Sequence, residues 1–263
     1  MDIVSIHSWK DFVALADELD DWAFRGHRSA QLPLVNSLCR RLTQYCPDPL
    51  QWPDREARAL RIFRRKAHIY LTDRSALDDD LRCLAMMQHH GAPTRLLDFT
   101  KSPFVAAFFA LEGADSDAAI YALNTPALWR ATPTFDASLT RELIDPRRSD
   151  NFARFFATNK LPILWCGEPA EMDRRLVAQS GLFVVPGQIE LTLEQILRNY
   201  EAGEPLLKKI VLPFALRDDV MRALYRMNIT HATLFPDLDG LARSVGYELE
   251  VIWEATRGED LRR

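Results

Sequence analysis

Gln88-His89-His90-Gly91-Ala92-Pro93-Thr94-Arg95-Leu96-Leu97-Asp98-Phe99-Thr100 is the stretch on which the reading of this chain turns. It sets two histidines, an arginine, an aspartate and several hydrogen-bonding side chains around Gly91 and Pro93. It then runs straight into the apolar segment Ser102–Leu111. Polar groups crowded where a chain enters its core must be paired or functional. Pro93 ends a helix predicted over Leu81–Gln88, and Thr94–Asp98 reads as a buried strand. In such a strand Arg95 and Leu97 face one way, and Thr94, Leu96 and Asp98 the other. A buried arginine needs a carboxylate, so a structural ion pair is the leading reading of Arg95 and Asp98, with catalysis as the alternative. Ser102-Pro103 starts a helix with a hydroxyl cap and a proline in the first turn. Thr100 and Ser102 read as caps, although a helix N-terminus also attracts phosphate.

Working outward, Ser8–Leu19 is an amphipathic helix, and Trp22–Gly26 alternates as a short aromatic strand. Leu34–Leu42 reads as a helix or turn, and Arg55–Leu71 as a long helix with Ala59, Ile62, Phe63 and Ala67 inward. Strands are predicted at Ala118–Leu123, Leu182–Val185 and Lys209–Pro213. Helices are predicted at Leu193–Tyr200, at Arg217–Met227 and within Leu234–Leu241. Residues 125–162 lack periodicity and read as an insertion or a substrate lid, and Thr256–Arg263 as a frayed end. No composition break demands a linker. One α+β domain over residues 1–263, a mixed β-sheet core with surrounding helices, is the simplest reading.

The composition agrees: 263 residues, 48% hydrophobic and 27% charged, are enough for a sizeable core. A net charge of −4 argues against non-specific coating of nucleic acid but leaves a local basic groove open. Four scattered cysteines read as thiols of a reducing compartment. With no signal-like start and no apolar run long enough to span a bilayer, the expectation is a cytoplasmic protein without a membrane partner. No phosphate-binding loop, dinucleotide glycine pattern, nucleophile elbow or zinc-deaminase signature is present.

Trp22-Ala23-Phe24-Arg25-Gly26-His27 places an arginine at the end of an aromatic strand. Arg25 reads equally as a surface ion pair or as an anion site, with Gly26 letting a ligand approach the backbone. His89-His90 invites a metal, but adjacent residues diverge and no HExxH spacing accompanies them, so no metal is expected. One histidine then hydrogen-bonds inside and the other faces a cleft, where it suits binding or proton transfer. Gln179, before the Ser180-Gly181 turn, reads as a ligand contact or a turn stabiliser. Asp237 and Asp239 read as helix caps, or as a carboxylate pair.

Taken together, these segments resemble the FRG domain, named for its Phe/Tyr-Arg-Gly motif. The matching pieces are Phe24-Arg25-Gly26, Gln88–Thr100, Ser102-Pro103 with its apolar helix, Arg175…Gln179–Phe183 and Thr233–Leu241. They stand in family order over about residues 20–245. Met87 and Phe99 depart mildly from the family pattern. The resemblance implies a bacterial toxin or anti-phage defence effector, with an antitoxin or other partner protein. A more distant similarity is to ADP-ribosyltransferases, whose first site element is an aromatic-Arg strand. It implies an ADP-ribosyltransferase-like fold and an NAD-using transferase or NAD hydrolase with NAD as substrate and a protein or nucleic-acid acceptor. On that resemblance Arg25 and Gly26 hold the phosphates, and His89, Arg95, Thr100, Ser102 and Gln179 complete the NAD site. Asp98, His90 or Asp237 supplies the acid, because the third element, Gln179–Val185, lacks the family's glutamate. The alternatives are a non-enzymatic nucleotide or nucleic-acid binding module and a metal-independent ribonuclease.

Overall fold

In the computed structural model, which describes residues 1–148 and 150–249, seven strands build one sheet. They are β1 (Asp2–Ser5), β2 (Ala23–His27), β3 (Leu97–Thr100), β4 (Ala118–Leu123), β5 (Leu164–Gly167), β6 (Gly181–Pro186) and β7 (Leu207–Leu212). Their order across the sheet is β1-β7-β4-β2-β3-β6-β5. β1 and β7 are parallel and every other neighbouring pair is antiparallel, so the sheet is mixed. With helices packed on both faces, this is the α+β architecture expected.

The interior strand β4 is apolar throughout because both its faces are covered. Ile120 and Ala122 pack with the Pro103–Leu111 helix, and Tyr121 and Leu123 with the residues of the opposite layer. The Pro103–Leu111 helix is apolar nearly all round for the same reason: sheet on one side, the Trp9–Asp17 and Arg217–Arg226 helices on others. Its start is capped as expected, Ser102 Oγ accepting from the Val105 N–H at 3.2 Å. A third cluster joins Trp165, Phe183 and Val185 of β5 and β6 to the Trp52–Ala67 and Asp80–His89 helices.

Several expectations are corrected. The strand expected at Thr94–Asp98 begins only at Leu97, because Thr94 and Arg95 are turned inward by side-chain bonds before the ladder starts. In the Trp52–Ala67 helix Ala67 is buried and Ala59 and Phe63 pack half-buried against the third cluster as expected, but the fully buried stripe also takes Trp52, Glu56 and Leu60, and Ile62 is left exposed. Residues 125–162, read as an insertion or a lid, supply core: Leu139, Ile144, Phe152 and Phe156 are buried in the third cluster. β1 and β5 had no sequence signal. The ending at Thr256–Arg263 lies outside the described residues. Among the described residues, no helix is long and apolar enough to cross a membrane.

Candidate functional site

The site arises where the sheet comes apart. β2 pairs with β4 through all five of its residues, but with β3 only at Phe24↔Thr100. Beyond that pair the two strands part. By register, Phe24, Asp98, Thr100 and Phe183 share one face, whereas Arg25 sits opposite Tyr121 on the other. Residues of both sets nevertheless line a single cleft of about 560 Å³. A cleft reached from both faces requires a gap in the ladder, and the β2–β3 split provides it.

Arg25 bridges the split. Its Nη1 donates to the Asp98 carbonyl at 2.6 Å, taking an acceptor that a continuous ladder would have used. Its Nε is buried with no hydrogen-bond partner among the described residues, a donor whose cost a ligand would remove. Burial lowers the Arg25 guanidinium from its ordinary value; the Asp98 carboxylate raises it again and Arg40 adds to the lowering.

Asp98 is set by Gln88. The Thr94 hydroxyl donates to Gln88 Oε1, so Gln88 Nε2 must face the other way. That nitrogen donates to the Leu96 carbonyl at 3.1 Å and to Asp98 Oδ2 at 2.9 Å. Both ends of the amide are fixed, and the carboxylate is presented at the cleft with its other oxygen available. Behind it, Thr100 Oγ1 donates to the Gln179 carbonyl at 2.7 Å and accepts from the Ser102 N–H at 3.0 Å.

Four arginines, Arg25, Arg28, Arg40 and Arg175, face two carboxylates, Asp98 and Asp173. Asp173 is partly used: it caps the Arg174–Ala178 helix through the Leu176 N–H at 2.7 Å and pairs with His89 Nδ1 at 2.9 Å. Arg175 lies 4.5 Å over the Phe235 ring. Burial lowers the His27 imidazole, and Arg25, Arg40 and Lys209 lower it further, as expected beside excess positive charge. The cleft is electropositive, with one presented carboxylate.

Of the residues singled out from sequence, Arg25, Gly26, His89, Asp98, Thr100 and Gln179 line this cleft. His90, Arg95, Ser102 and Asp237 do not. His90 ends the Asp80–His89 helix, exposed, its ring edge-on to His89 at 4.8 Å. Arg95 is fully buried, forked onto Glu56 through Nε at 2.8 and 2.9 Å, with Nη1 on the Phe156 carbonyl at 2.7 Å. It holds two helices together and is removed from the ligand contacts. Ser102 and Asp237 are spent as caps, Asp237 accepting from the Gly240 N–H at 2.8 Å. Gly26 is required for packing as well: a Cβ there would meet the Ala106 carbonyl oxygen at 2.1 Å and the Ala110 nitrogen at 2.6 Å. Sequence reasoning missed Arg40 and Asp173 as cleft residues and gave Gln88 no role. An unpaired arginine on a short helix and a helix cap carry no signal of a cleft.

Among the described residues no group of three or more histidine, cysteine, aspartate or glutamate side chains is placed to hold a metal. Comparison with curated proteins and with solved structures finds no match. A family model does match, over residues 20–119, a span that takes in β2, β3, the Gln88–Thr100 block and the Pro103–Leu111 helix. That model is the FRG domain, and residues 20–119 match it; the span supplies most of the lining of the Arg25–Asp98 cleft, and Asp173, Arg175, Leu176, Gln179 and Phe183 come from outside it.

Proposed function

We propose that this cleft binds NAD and that the protein transfers its ADP-ribose to an acceptor or to water. The observation that carries the reading is Arg25. A guanidinium stands in the gap between β2 and β3 with one N–H on the Asp98 carbonyl and its buried Nε unpartnered. The Asp98 carboxylate stands beside it, in a cleft whose volume of about 560 Å³ falls in the range of small-molecule sites. A planar donor fork suits a diphosphate. Arg28, Arg40 and Arg175 add the positive charge that a doubly charged linker favours.

In the reaction the bond between the nicotinamide nitrogen and the ribose carbon breaks, and nicotinamide leaves with the electron pair. The acceptor oxygen or nitrogen bonds to that carbon and releases its proton. Positive charge grows on the ribose meanwhile, and a fixed carboxylate opposite it lowers the barrier without reorganising. Asp98, held by Gln88, is the group presented for this, in place of the glutamate the resemblance leads one to expect. The ADP-ribosyltransferase-like topology and the toxin or defence setting belong to the same proposal.

The test is nicotinamide release and NAD binding by the purified protein and two variants. Arg25→Ala is expected to weaken NAD binding by tenfold or more. Asp98→Asn is expected to keep binding and lose turnover by about 10²-fold or more, the usual cost of one electrostatic group. No binding of NAD at millimolar concentration by the wild-type protein would overturn the reading.

A further inference from the structure

The charge of this chain is distributed unevenly. Between residues 25 and 66 there are ten arginine and lysine residues against three acidic ones, a local excess of seven positive charges in a chain whose total is −4. The structure widens the imbalance. Of the three acids, Glu56 is buried on Arg95, and Asp48, though exposed, accepts from the Leu50 N–H and Gln51 Nε2. Asp54 remains in the first turn of the Trp52–Ala67 helix.

The outer face of that helix is therefore cationic. Arg55, Arg58, Arg61, Arg65 and Lys66 are exposed. Among the described residues none of them has a carboxylate within salt-bridge distance; Arg64 alone is paired, to Asp80. A solvated helix face ordinarily mixes both signs, and like charges three and four residues apart repel. This surface continues to the cleft. The Ser37–Tyr45 helix carries Arg40 on the cleft rim and Arg41 beside it. It packs through Leu38, Cys39 and Leu42 against Trp52, whose indole N–H donates to the Cys46 carbonyl at 2.8 Å. Two aromatic rings stand out from the same region, Tyr45 at 72% and Tyr70 at 82% exposure.

We infer that the face formed by the Ser37–Tyr45 and Trp52–Ala67 helices binds single-stranded nucleic acid and leads it to the rim of the Arg25 cleft. Unpaired arginines in a row follow a phosphate backbone, and exposed tyrosines offer stacking surfaces that tolerate any base. An acidic membrane would also meet cationic charge, but within the helix Ile62 is the large apolar residue exposed, among arginines, and Leu50 and Ile69 lie beyond its two ends, so the helix itself presents no continuous apolar face to insert. The binding face stands independently of the NAD reading. The role of the strand rests on that reading: it would be the acceptor, one of its nucleophilic atoms bonding to the ribose carbon as nicotinamide leaves.

The experiment is fluorescence anisotropy with a labelled 20-nucleotide single-stranded RNA and its DNA counterpart, at salt from 50 to 300 mM. Binding that weakens at least tenfold over that range is expected for several phosphate contacts. The triple variant Arg58→Gln/Arg61→Gln/Arg65→Gln is expected to bind at least tenfold more weakly with a shallower salt slope. NAD binding and the thermal unfolding midpoint should stay at wild-type values. Arg41→Gln with Tyr45→Ala, on the other helix, is a second variant expected to weaken oligonucleotide binding. No binding at 50 mM salt, unchanged binding by both variants, or binding to phosphatidylserine vesicles in place of oligonucleotides would overturn the inference. Oligonucleotide binding without NAD binding would sink the NAD reading alone, and the converse would sink this one alone.

Discussion

Gly26 and Arg95 show how one residue type in one place answers to packing before chemistry. At Gly26 the helix backbone is the neighbour, so a methyl group cannot be absorbed by a side-chain rotation. Gly26→Ala is expected to destabilise the fold by about 1–3 kcal/mol or more, the cost of overpacking, lowering the denaturant midpoint without changing the m-value. An unchanged midpoint would show that the helix yields. At Arg95 the partner matters more than the residue. Arg95→Met leaves Glu56 buried without its counter-charge and is expected to cost about 3–5 kcal/mol. The double change Arg95→Met/Glu56→Leu should recover much of that loss, since two apolar groups have no charge to desolvate. Additive losses in urea melts would contradict the ion-pair account. The sequence made this pair half legible: a buried arginine in an apolar run demanded a carboxylate. That carboxylate, 39 residues earlier, lies outside any local pattern.

Among the elements, the helices that cover the outer side of the Pro103–Leu111 helix are joined by a polar chain. His231, 5% exposed, contacts Glu112 Oε1 through Nε2 at 2.6 Å and the Tyr225 hydroxyl through Nδ1 at 3.0 Å. Arg217 donates to the Leu111 and Glu112 carbonyls at 3.0 and 3.1 Å. The hydrogen bond from His231 holds the Glu112 carboxyl below its ordinary 4.5, against the opposing effect of burial. A carboxyl whose folded value is depressed stabilises fully above its unfolded value, and that contribution is lost as pH falls through the folded one. Acid unfolding is therefore expected to include a component that begins near pH 4.5 and is absent in Glu112→Gln. That variant should lose about 1 kcal/mol at pH 7, a charged hydrogen bond discounted for a side chain one-third exposed. Parallel wild-type and variant pH profiles would remove the carboxylate from the account. Elements of this kind were well marked in the sequence where caps and apolar periods coincide, as at Ser8, Ser102 and Asp237. β1 and β5 were not, because an edge strand of four residues carries too short a pattern to separate from a loop.

At the scale of the whole molecule, the split between β2 and β3 divides the sheet into a β1-β7-β4-β2 part and a β3-β6-β5 part. Each has its own helical cover on the face that carries Phe24 and Phe183, and the opposite layer, with Tyr121, Leu97 and Leu182, runs across both. Arg25, Asp98 and Thr100 were legible one by one, as polar groups on short strands, whereas Arg40, Gln88 and Asp173, on helices or at a helix cap, were not. Their assembly was not, because the gap depends on two strands sharing a single paired position, and no local pattern encodes an absent ladder. A ligand held by Arg25 on one side and by Asp98, His89 or Gln179 on the other replaces those missing contacts. Ligand binding should then stabilise the fold globally and slow opening of the split locally. At one hundred times its dissociation constant, NAD is expected to add about 2.7 kcal/mol. At roughly 2–4 °C per kcal/mol for a domain near this size, the melting temperature should rise about 5–10 °C. Amide exchange at β3 and at Arg25–His27 should slow beyond that global effect, and exchange at β1 and β7 should not. A rise in melting temperature with uniform protection would place the ligand somewhere that does not bridge the two parts of the sheet. Arg25→Ala, compared at a NAD concentration that saturates the variant equally, separates the two cases again, because losing the bridge should abolish the local protection while leaving the global effect at β7 in place.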